Sequence, residues 1–164
     1  MRKIKFRGMR KDNHLWEHGH YYEEAAPLQP TGGKQAPAYI VFPSFADWNM
    51  PRQMLRAEVL PDTVGQFTGL RDSQGREIYE GDITELVLPN GEVRRFVVAI
   101  ETVVREVVSH PDFDEPTATV AITGVVFKCR GFELLPCVYE NGRHDNEDMQ
   151  IIGNIYENPE LLEE

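Results

Sequence analysis

Three histidines lie close together near the N-terminus, and imidazole is the commonest metal ligand among side chains. His18 and His20 are two residues apart, so on a β-strand they would point to the same face and could reach one ion. His14 falls in a predicted turn, and nothing else supplies the remaining ligands of a zinc site. Two exposed strand histidines are the simpler interpretation. His18 and His20 are therefore weak candidates for a metal site, and the sequence predicts no cofactor.

Carboxylates are dense between residues 77 and 85, where paired acids could perform general acid–base chemistry. They are Glu77, Glu80, Asp82 and Glu85. No nucleophile accompanies them, because the serines do not lie in a nucleophile elbow. A phosphate-binding site is not indicated either, since residues 65–69 lack the pattern of a phosphate loop. The acidic loop at 112–115 lacks the spacing and central glycine of an EF-hand. A charged face of a β-structure explains these acids better than a catalytic pair, so the sequence does not favour an enzyme.

The first eleven residues contain six basic side chains and no acid. This basic edge, which also includes Phe6, could contact nucleic acid, and a nucleic-acid-binding protein is one alternative hypothesis. Basic residues on an edge strand also prevent unwanted strand pairing, which explains the pattern equally well. A metal-dependent enzyme that uses the histidines or the acidic stretch is the other alternative.

The chain as a whole is acidic. Its 164 residues contain 17 basic and 27 acidic side chains, for a formal net charge of -10. This balance argues against a protein that coats nucleic acid or an anionic membrane non-specifically. Residues 140–164 hold eight acids and a single arginine, so much of the excess lies near the C-terminus. The oppositely charged ends suggest head-to-tail association of copies, or a meeting of the two ends within one chain.

The cysteine and hydropathy patterns point to the cytoplasm. Cys129 and Cys137 have a spacing that matches no zinc or redox motif, and two reduced thiols are the expected state. No apolar run follows the basic N-terminal residues, as it would in a signal peptide. The most apolar stretches, 96–100 and 120–127, are far too short to span a bilayer. We therefore expect a soluble cytoplasmic protein with no membrane partner.

Short strands and turns must position any site in this chain. Period-two alternation predicts a β-hairpin from residues 2–10 and 15–22. Three prolines and two adjacent glycines predict a loop at 25–38. A short strand follows at 39–42. Pro51 could begin a helix over residues 52–58, but the residues after it favour extended chain at 58–60.

From residue 64 onward, glycines separate short apolar runs, which is typical of a small barrel or sandwich. Residues 102–108 fit a strand or a helix, and their β-branched content favours a strand. Asn158 and Pro159 predict a short terminal helix. The other predicted strands cover residues 83–88, 93–100, 117–128, 132–135 and 149–156. The expectation is a mainly β protein with at most two short helices.

Three blocks of the sequence together resemble a known family. They are residues 4–8 with 16–19, residues 63–72 with 75–83, and residues 152–162. The stretch from Gln66 to Ile83 is the most specific, with Gly69-Leu70-Arg71-Asp72 and Tyr79-Glu80-Gly81-Asp82. In order and type the blocks resemble the YopX family, which is found in phages and in bacterial prophages.

The resemblance implies a largely β fold with an SH3-like barrel in the C-terminal part and no catalytic residues. We divide the chain accordingly into an N-terminal hairpin and loop-rich region at 1–60 and an SH3-like barrel with a short C-terminal helix at 61–164. The function that follows is a phage- or prophage-encoded accessory protein acting as a non-catalytic, self-assembling binding module.

SH3-like barrels commonly bind ligands through loops and an aromatic face. Phe67, Tyr79 and Tyr156 are the candidate binding residues, although each could equally pack in the core. The expected partners are other copies of the chain and a host or phage protein, while nucleic acid is not favoured.

Overall fold

The computed structural model describes residues 3–24, 36–44, 53–110, 112 and 114–163. All strand pairs are antiparallel and form two sheets, which confirms a mainly β protein. The strands are β1 (Phe6–Met9), β2 (Trp16–Glu23), β3 (Ala38–Pro43), β4 (Met54–Val59), β5 (Gly65–Arg71), β6 (Glu77–Tyr79), β7 (Asp82–Val87), β8 (Val93–Val108), β9 (Thr117–Cys129), β10 (Phe132–Leu134) and β11 (Gln150–Asn154). In the described residues the helical elements are three short 3₁₀ turns, at Pro61–Thr63, Asp145–Asp148 and Pro159–Leu162, where the sequence predicted at most two short helices.

The first sheet has six strands in the order β4-β3-β2-β1-β5-β6. The predicted N-terminal hairpin is confirmed, since β1 pairs with β2 and Met9 lies opposite Trp16. Its turn is closed by the Asn13 side chain, which accepts the amide of Leu15 at 3.0 Å. Strands from both sides of residue 60 share this sheet, because β5 pairs with β1. The division of the chain into two regions at that point stays a prediction.

The edge strand β4 corrects one alternative of the sequence analysis. A helix over 52–58 is wrong, because Met54–Val59 is extended and pairs with β3. Ala57 and Val59 are two residues apart and so lie on the same face of β4, where both side chains are buried next to β3. The loop predicted at 25–38 lies largely outside the described residues.

The second sheet has five strands in the order β10-β9-β8-β7-β11. Residues 102–108 are a strand as predicted, and they continue the strand that begins at Val93. The register of β8 with β9 runs without a break from Val97 opposite Lys128 to Val108 opposite Thr117. The main core packs β6 of the first sheet against β8 and β9 of the second, through Ile78, Phe96, Val98, Phe127 and Met149.

A tight connection links β6 to β7 and thereby joins the two sheets. Gly81 has φ of 79°, a conformation that residues with a side chain rarely adopt. A Cβ at this position would also lie 2.9 Å from Cε2 of Tyr156. The glycine therefore permits both the reversal of the chain and the close approach of the C-terminal segment.

The buried carboxylate of Asp72 fastens the turn between β5 and β6 to β11. Oδ1 accepts the amides of Gln74 and Arg76, both at 2.9 Å. Oδ2 accepts the Arg76 Nε–H at 2.8 Å and the amide of Ile151 at 3.1 Å. Burial on its own would raise the pKa of Asp72, but the hydrogen bonds from Ile151 and Arg76 outweigh it and lower the pKa below its ordinary value.

Candidate binding site

The three aromatic residues selected from the sequence lie near one another. Phe67 on β5 and Tyr79 on β6 are cross-strand partners, and their ring centroids are 5.5 Å apart. Both side chains are buried. Tyr156 follows β11, and its half-buried ring lies 5.9 Å from that of Trp16 on β2. The burial of Phe67 and Tyr79 leaves little ring surface for a ligand, so a binding role for these three stays a prediction.

Arg7 connects these rings and is the residue that the sequence analysis missed. Its guanidinium carbon lies 4.6 Å from the ring centroid of Trp16 and 5.1 Å from that of Tyr79. Nη1 pairs with Asp82 Oδ1 at 2.6 Å, and Oδ2 of Asp82 accepts the amide of Tyr79 at 2.7 Å. We call Arg7, Trp16, Tyr79, Asp82 and Tyr156 the Arg7 cluster.

The Arg7 cluster is suited to holding the sheets together. Arg7 lies on β1 of the first sheet and Asp82 on β7 of the second, so their ion pair crosses between the sheets. The exposed fractions are only 9% for Arg7 and 1% for Asp82. Burial raises the pKa of Asp82, and the charge of Arg7 opposes that rise. Simple alternation with Phe6 and Gly8 would put Arg7 on the polar face of its strand, but the aromatic rings and Asp82 make an interior position tolerable.

Tyr79 is held as a neutral hydrogen-bond donor. Its hydroxyl donates to Glu77 Oε2 at 3.0 Å, and Glu77 also pairs with Lys5. Burial and the neighbouring Glu77 raise the pKa of Tyr79 far above its ordinary value. The raised pKa and the hydrogen bond to Glu77 both favour the neutral phenol, which donates in this contact.

The carboxylates between 77 and 85 are engaged in internal contacts and do not form a facing acid pair. Glu80 accepts the amides of Gln66 and Ile100, at 3.0 and 3.2 Å. Glu85 pairs with Arg95 at 3.2 Å. This arrangement holds strand ends together, and the predicted charged face is incorrect for Asp82, which is buried.

The metal candidates are not brought together with further ligands. His18 and His20 are both exposed on β2, and the ring of His18 lies 5.4 Å from that of Tyr79. Partial desolvation, with the positive charges of Arg7 and Lys5, lowers the pKa of His18. Within the part of the chain that the structure describes, no three His, Cys, Asp or Glu side chains are grouped so that they could hold a metal ion.

The basic N-terminal segment does not lie at a sheet edge, because β1 pairs with both β2 and β5, so the edge-strand explanation of its charges is wrong. Its cations are largely neutralised by acids of the same chain. The pairs are Lys5 with Glu77, Arg7 with Asp82, Arg10 with Asp12 and Lys11 with Glu58. A phosphate would have to compete with these carboxylates for each side chain. The geometry therefore gives the nucleic-acid hypothesis no support in this segment.

A different basic surface lies at the open end of β8 and β9. The register of β9 with β8 begins at Val97 opposite Lys128, and β9 ends one residue later, at Cys129. The chain turns away after Cys129 into β10, which leaves a cleft of about 720 Å³. We call it the basic cleft, and its lining includes Glu92, Val93, Arg94, Arg95, Val97, Lys128, Cys129, Arg130, Phe132, Leu161 and Leu162.

The lining of the basic cleft contains four cationic side chains and one carboxylate. Arg94 pairs with Glu92 at 2.8 Å and lies 5.2 Å from the ring centroid of Phe132. Lys128 pairs with Glu101 at 3.0 Å. The remaining two arginines contact the C-terminal segment: Arg95 donates to the carbonyl of Leu161 at 3.1 Å, and Arg130 donates to that of Leu162 at 3.0 Å. The cleft thus already binds peptide carbonyls through guanidinium groups.

Comparison with known proteins identifies a family, and a distant solved structure is among the matches. A family model described as YopX protein matches residues 5–163, nearly the whole chain. The crystal structure of protein EF1440 from Enterococcus faecalis is similar with 18% sequence identity and a TM-score of 0.45, over 99% of each chain. Among curated proteins no match is found. In the described chain, no helix is both long and apolar enough to cross a membrane.

Proposed function

The chain belongs to the YopX protein family, and from this premise we propose that it is a phage- or prophage-encoded accessory protein that acts as a non-catalytic binding module. Its ligand is anionic and its binding surface is the basic cleft. The internal engagement of Glu80, Asp82 and Glu85 supports a structural rather than a catalytic use of the acidic stretch.

The observation that carries this proposal is the concentration of positive charge in the basic cleft. Arg94, Arg95, Lys128 and Arg130 line one cleft of a protein whose formal net charge is -10. The lining is positive on balance, with four cationic side chains and Glu92, and a positive cleft in an acidic protein attracts anionic ligands. Such a ligand would compete with the carboxylates that already pair with Arg94, Arg95 and Lys128. Phe132, with 39% of its surface exposed, adds an apolar contact beside these charges.

Charge reversal in the cleft tests this function. The variant Lys128→Glu/Arg130→Glu is compared with wild type for binding to fluorescent polyglutamate and to a fluorescent single-stranded oligonucleotide, at low and physiological salt. Wild type should bind at least one of the two, more weakly as salt rises, and the variant should bind neither. The control is Arg56→Glu on β4, outside the cleft, which changes the net charge in the same direction by half as much. Binding of neither probe by wild type, or equal binding by the charge-reversed variant, would refute the proposal.

We also propose that the module self-associates and works in the cytoplasm, where Cys129 and Cys137 are free thiols. The charge asymmetry between residues 1–11 and 140–164 motivates this proposal, and head-to-tail association would require acids of a second copy to compete with the internal partners of the basic side chains. A strict monomer in light scattering across a wide concentration range would contradict it.

The C-terminal strands are proposed to form an SH3-like barrel. The antiparallel strands β5 to β9, which contribute Ile78, Phe96 and Phe127 to one core, support this interpretation. An experimental structure in which these strands fail to close around that core would refute it.

A further inference from the structure

We propose that the C-terminal turn, Pro159–Leu162, is an internal competitor for the basic cleft, which an anionic ligand must release in order to bind. This inference rests on the function proposed for the cleft and adds the regulation of that site. The turn forms part of one wall, because Leu161 and Leu162 are among the lining residues. By reciprocity, a docked turn weakens the binding of the ligand as much as the ligand weakens the docking of the turn.

Two arginines hold the turn in place through its main chain. Arg95 on β8 donates from Nη1 to the carbonyl of Leu161 at 3.1 Å, and Arg130, just after β9, donates from Nη2 to that of Leu162 at 3.0 Å. Both leucine side chains are partly buried, so the docking also has an apolar component. A guanidinium bonds more strongly to a carboxylate than to a neutral carbonyl. The docked turn thus gives these arginines acceptors that an anion can displace.

The existing bonds of Arg95 explain why the turn and an anion exclude each other. Its Nε–H already donates to Glu85 at 3.2 Å, while Nη1 holds the carbonyl of Leu161. Bidentate binding of an anion needs two parallel N–H groups. With Nε engaged by Glu85, a bidentate anion would use Nη1 and Nη2, and so compete with the Leu161 carbonyl. An anion that reaches both Arg95 and Arg130 competes with both carbonyls of the turn.

The charge of the C-terminal segment fits this role. Residues 140–164 hold eight acids and one arginine, and the exposed side chains of Glu160 and Glu163 lie within and directly after the turn. The lining of the cleft is positive on balance. An acidic segment beside a positive cleft is attracted to it and offsets part of the field that would draw in a free anion. The segment is thus a competitor of the same sign as the ligand.

The turn can leave the cleft while both sheets stay folded. It follows the last strand, β11, and its residues are not part of the main core. Its own backbone hydrogen bonds are local: the amide of Leu161 donates to Asn158 at 3.1 Å, and that of Glu163 donates to Glu160 at 3.2 Å. A single turn is unstable without tertiary contacts. These two amides should therefore exchange with solvent once the turn is released.

Hydrogen exchange of the full chain tests the release. The amides of Leu161 and Glu163 are followed without ligand and with a saturating amount of the anionic probe that wild type binds, polyglutamate or the single-stranded oligonucleotide. Both amides should be protected in the free protein and should exchange at least tenfold faster in the bound protein. The buried amide of Met9, which donates to Thr63 at 2.9 Å, is the internal control and should not change.

Two results of the exchange experiment would overturn the competition. One is unchanged protection of Leu161 and Glu163 in the bound protein, which would leave the cleft as an anion site that the turn does not regulate. The other is exchange in the free protein as fast as in an unfolded peptide, because the turn would then not be docked.

Loosening the turn should raise the affinity for the same probe. Leu161→Gly/Leu162→Gly keeps the charge of the chain, removes the two partly buried side chains and makes the backbone more flexible. In fluorescence anisotropy it should bind at least tenfold more tightly than wild type, a difference of about 1.4 kcal/mol. The matched control, Val138→Gly/Tyr139→Gly, makes the same kind of change at two exposed residues outside the cleft and should bind like wild type.

Circular dichroism shows whether both variants are folded, and hydrogen exchange of the wild type decides alone if the loosened variant is not. Equal or weaker binding by a folded Leu161→Gly/Leu162→Gly variant would overturn the competition and leave the cleft as an anion site. Binding of neither probe by wild type would refute the function of the cleft itself, and the competition with it.

Discussion

Replacing Arg7 by leucine tests whether the buried ion pair with Asp82 joins the two sheets. The substitution leaves the Asp82 carboxylate, which is 1% exposed, without its counter-charge. Removing one partner of a buried pair costs about 3–5 kcal/mol. Since domains are stable by roughly 5–15 kcal/mol, this single change should remove a large share of the total.

Urea unfolding at neutral pH measures the effect. Arg7→Leu should lower the free energy of unfolding by about 3–5 kcal/mol. The double variant Arg7→Leu/Asp82→Asn should be more stable than Arg7→Leu, because it leaves no buried charge. The asparagine oxygen can still accept the amide of Tyr79, which donates to Asp82 at 2.7 Å in the wild type. The double variant therefore isolates the cost of the unpaired charge.

Arg10→Leu is the matched control. Arg10 lies on the same N-terminal segment and pairs with Asp12 at 2.7 Å, but Asp12 is largely exposed. Exposed pairs contribute little, so the unfolding midpoint should stay near that of wild type. Two results would refute the reasoning. One is a loss of unfolding free energy in Arg7→Leu no greater than that in Arg10→Leu. The other is a double variant no more stable than Arg7→Leu alone.

Three further predictions concern single residues. Because the folded pKa of Asp72 is lowered, its stabilisation is complete above its unfolded pKa of about 3.9 and is lost as the pH falls through the folded pKa. Asp72→Asn should lower the free energy of unfolding by ~1–3 kcal/mol at neutral pH. In urea unfolding at a series of acid pH values, the variant should lose less stability on acidification than wild type; an equal loss would contradict this. The pKa of His18, measured by NMR, should lie below 6.5 in wild type and closer to 6.5 in Arg7→Leu, because that variant removes one of the positive charges that lower it. Any stability that neutral His18 contributes is complete above pH 6.5 and is lost as the pH falls through the folded pKa. A titration midpoint at or above 6.5 in wild type would refute the effect. Gly81→Ala should lower the melting temperature more than Gly91→Ala. Both glycines have positive φ, at a cost of about 1–2 kcal/mol for a side chain, but only at Gly81 would the new methyl meet a ring; equal shifts would show that this contact is unimportant.

The local structure was largely predictable from the sequence. Alternation between residues 2 and 22 predicts the β1–β2 hairpin, and the β-branched content of 102–108 predicts a strand there. Period-two patterns identify strands because opposite faces of a sheet meet different surroundings. β4 was ambiguous because its pattern is short and follows a proline, and pairing with β3 decides its conformation.

The candidate sites were less predictable because they depend on which strands meet. A basic residue between apolar ones is normally solvent-exposed, so nothing local marks Arg7 as the partner of Asp82, 75 positions away in the sequence. The basic cleft likewise requires Arg95 and Lys128 to converge, which follows from the register of Val97 with Lys128. Strand register between distant segments is not contained in a local pattern.

The contact between Trp16 and Glu157 has a consequence for how the protein folds. The indole N–H donates to the Glu157 carboxylate at 2.8 Å across 141 positions of sequence. During synthesis β1 and β2 leave the ribosome before Glu157 is made. Contacts of such long separation close slowly, because the intervening chain must first be ordered. We therefore expect the β1–β2 hairpin to form without this contact and to gain the hydrogen bond of its indole only after residues 150–157 have been synthesised.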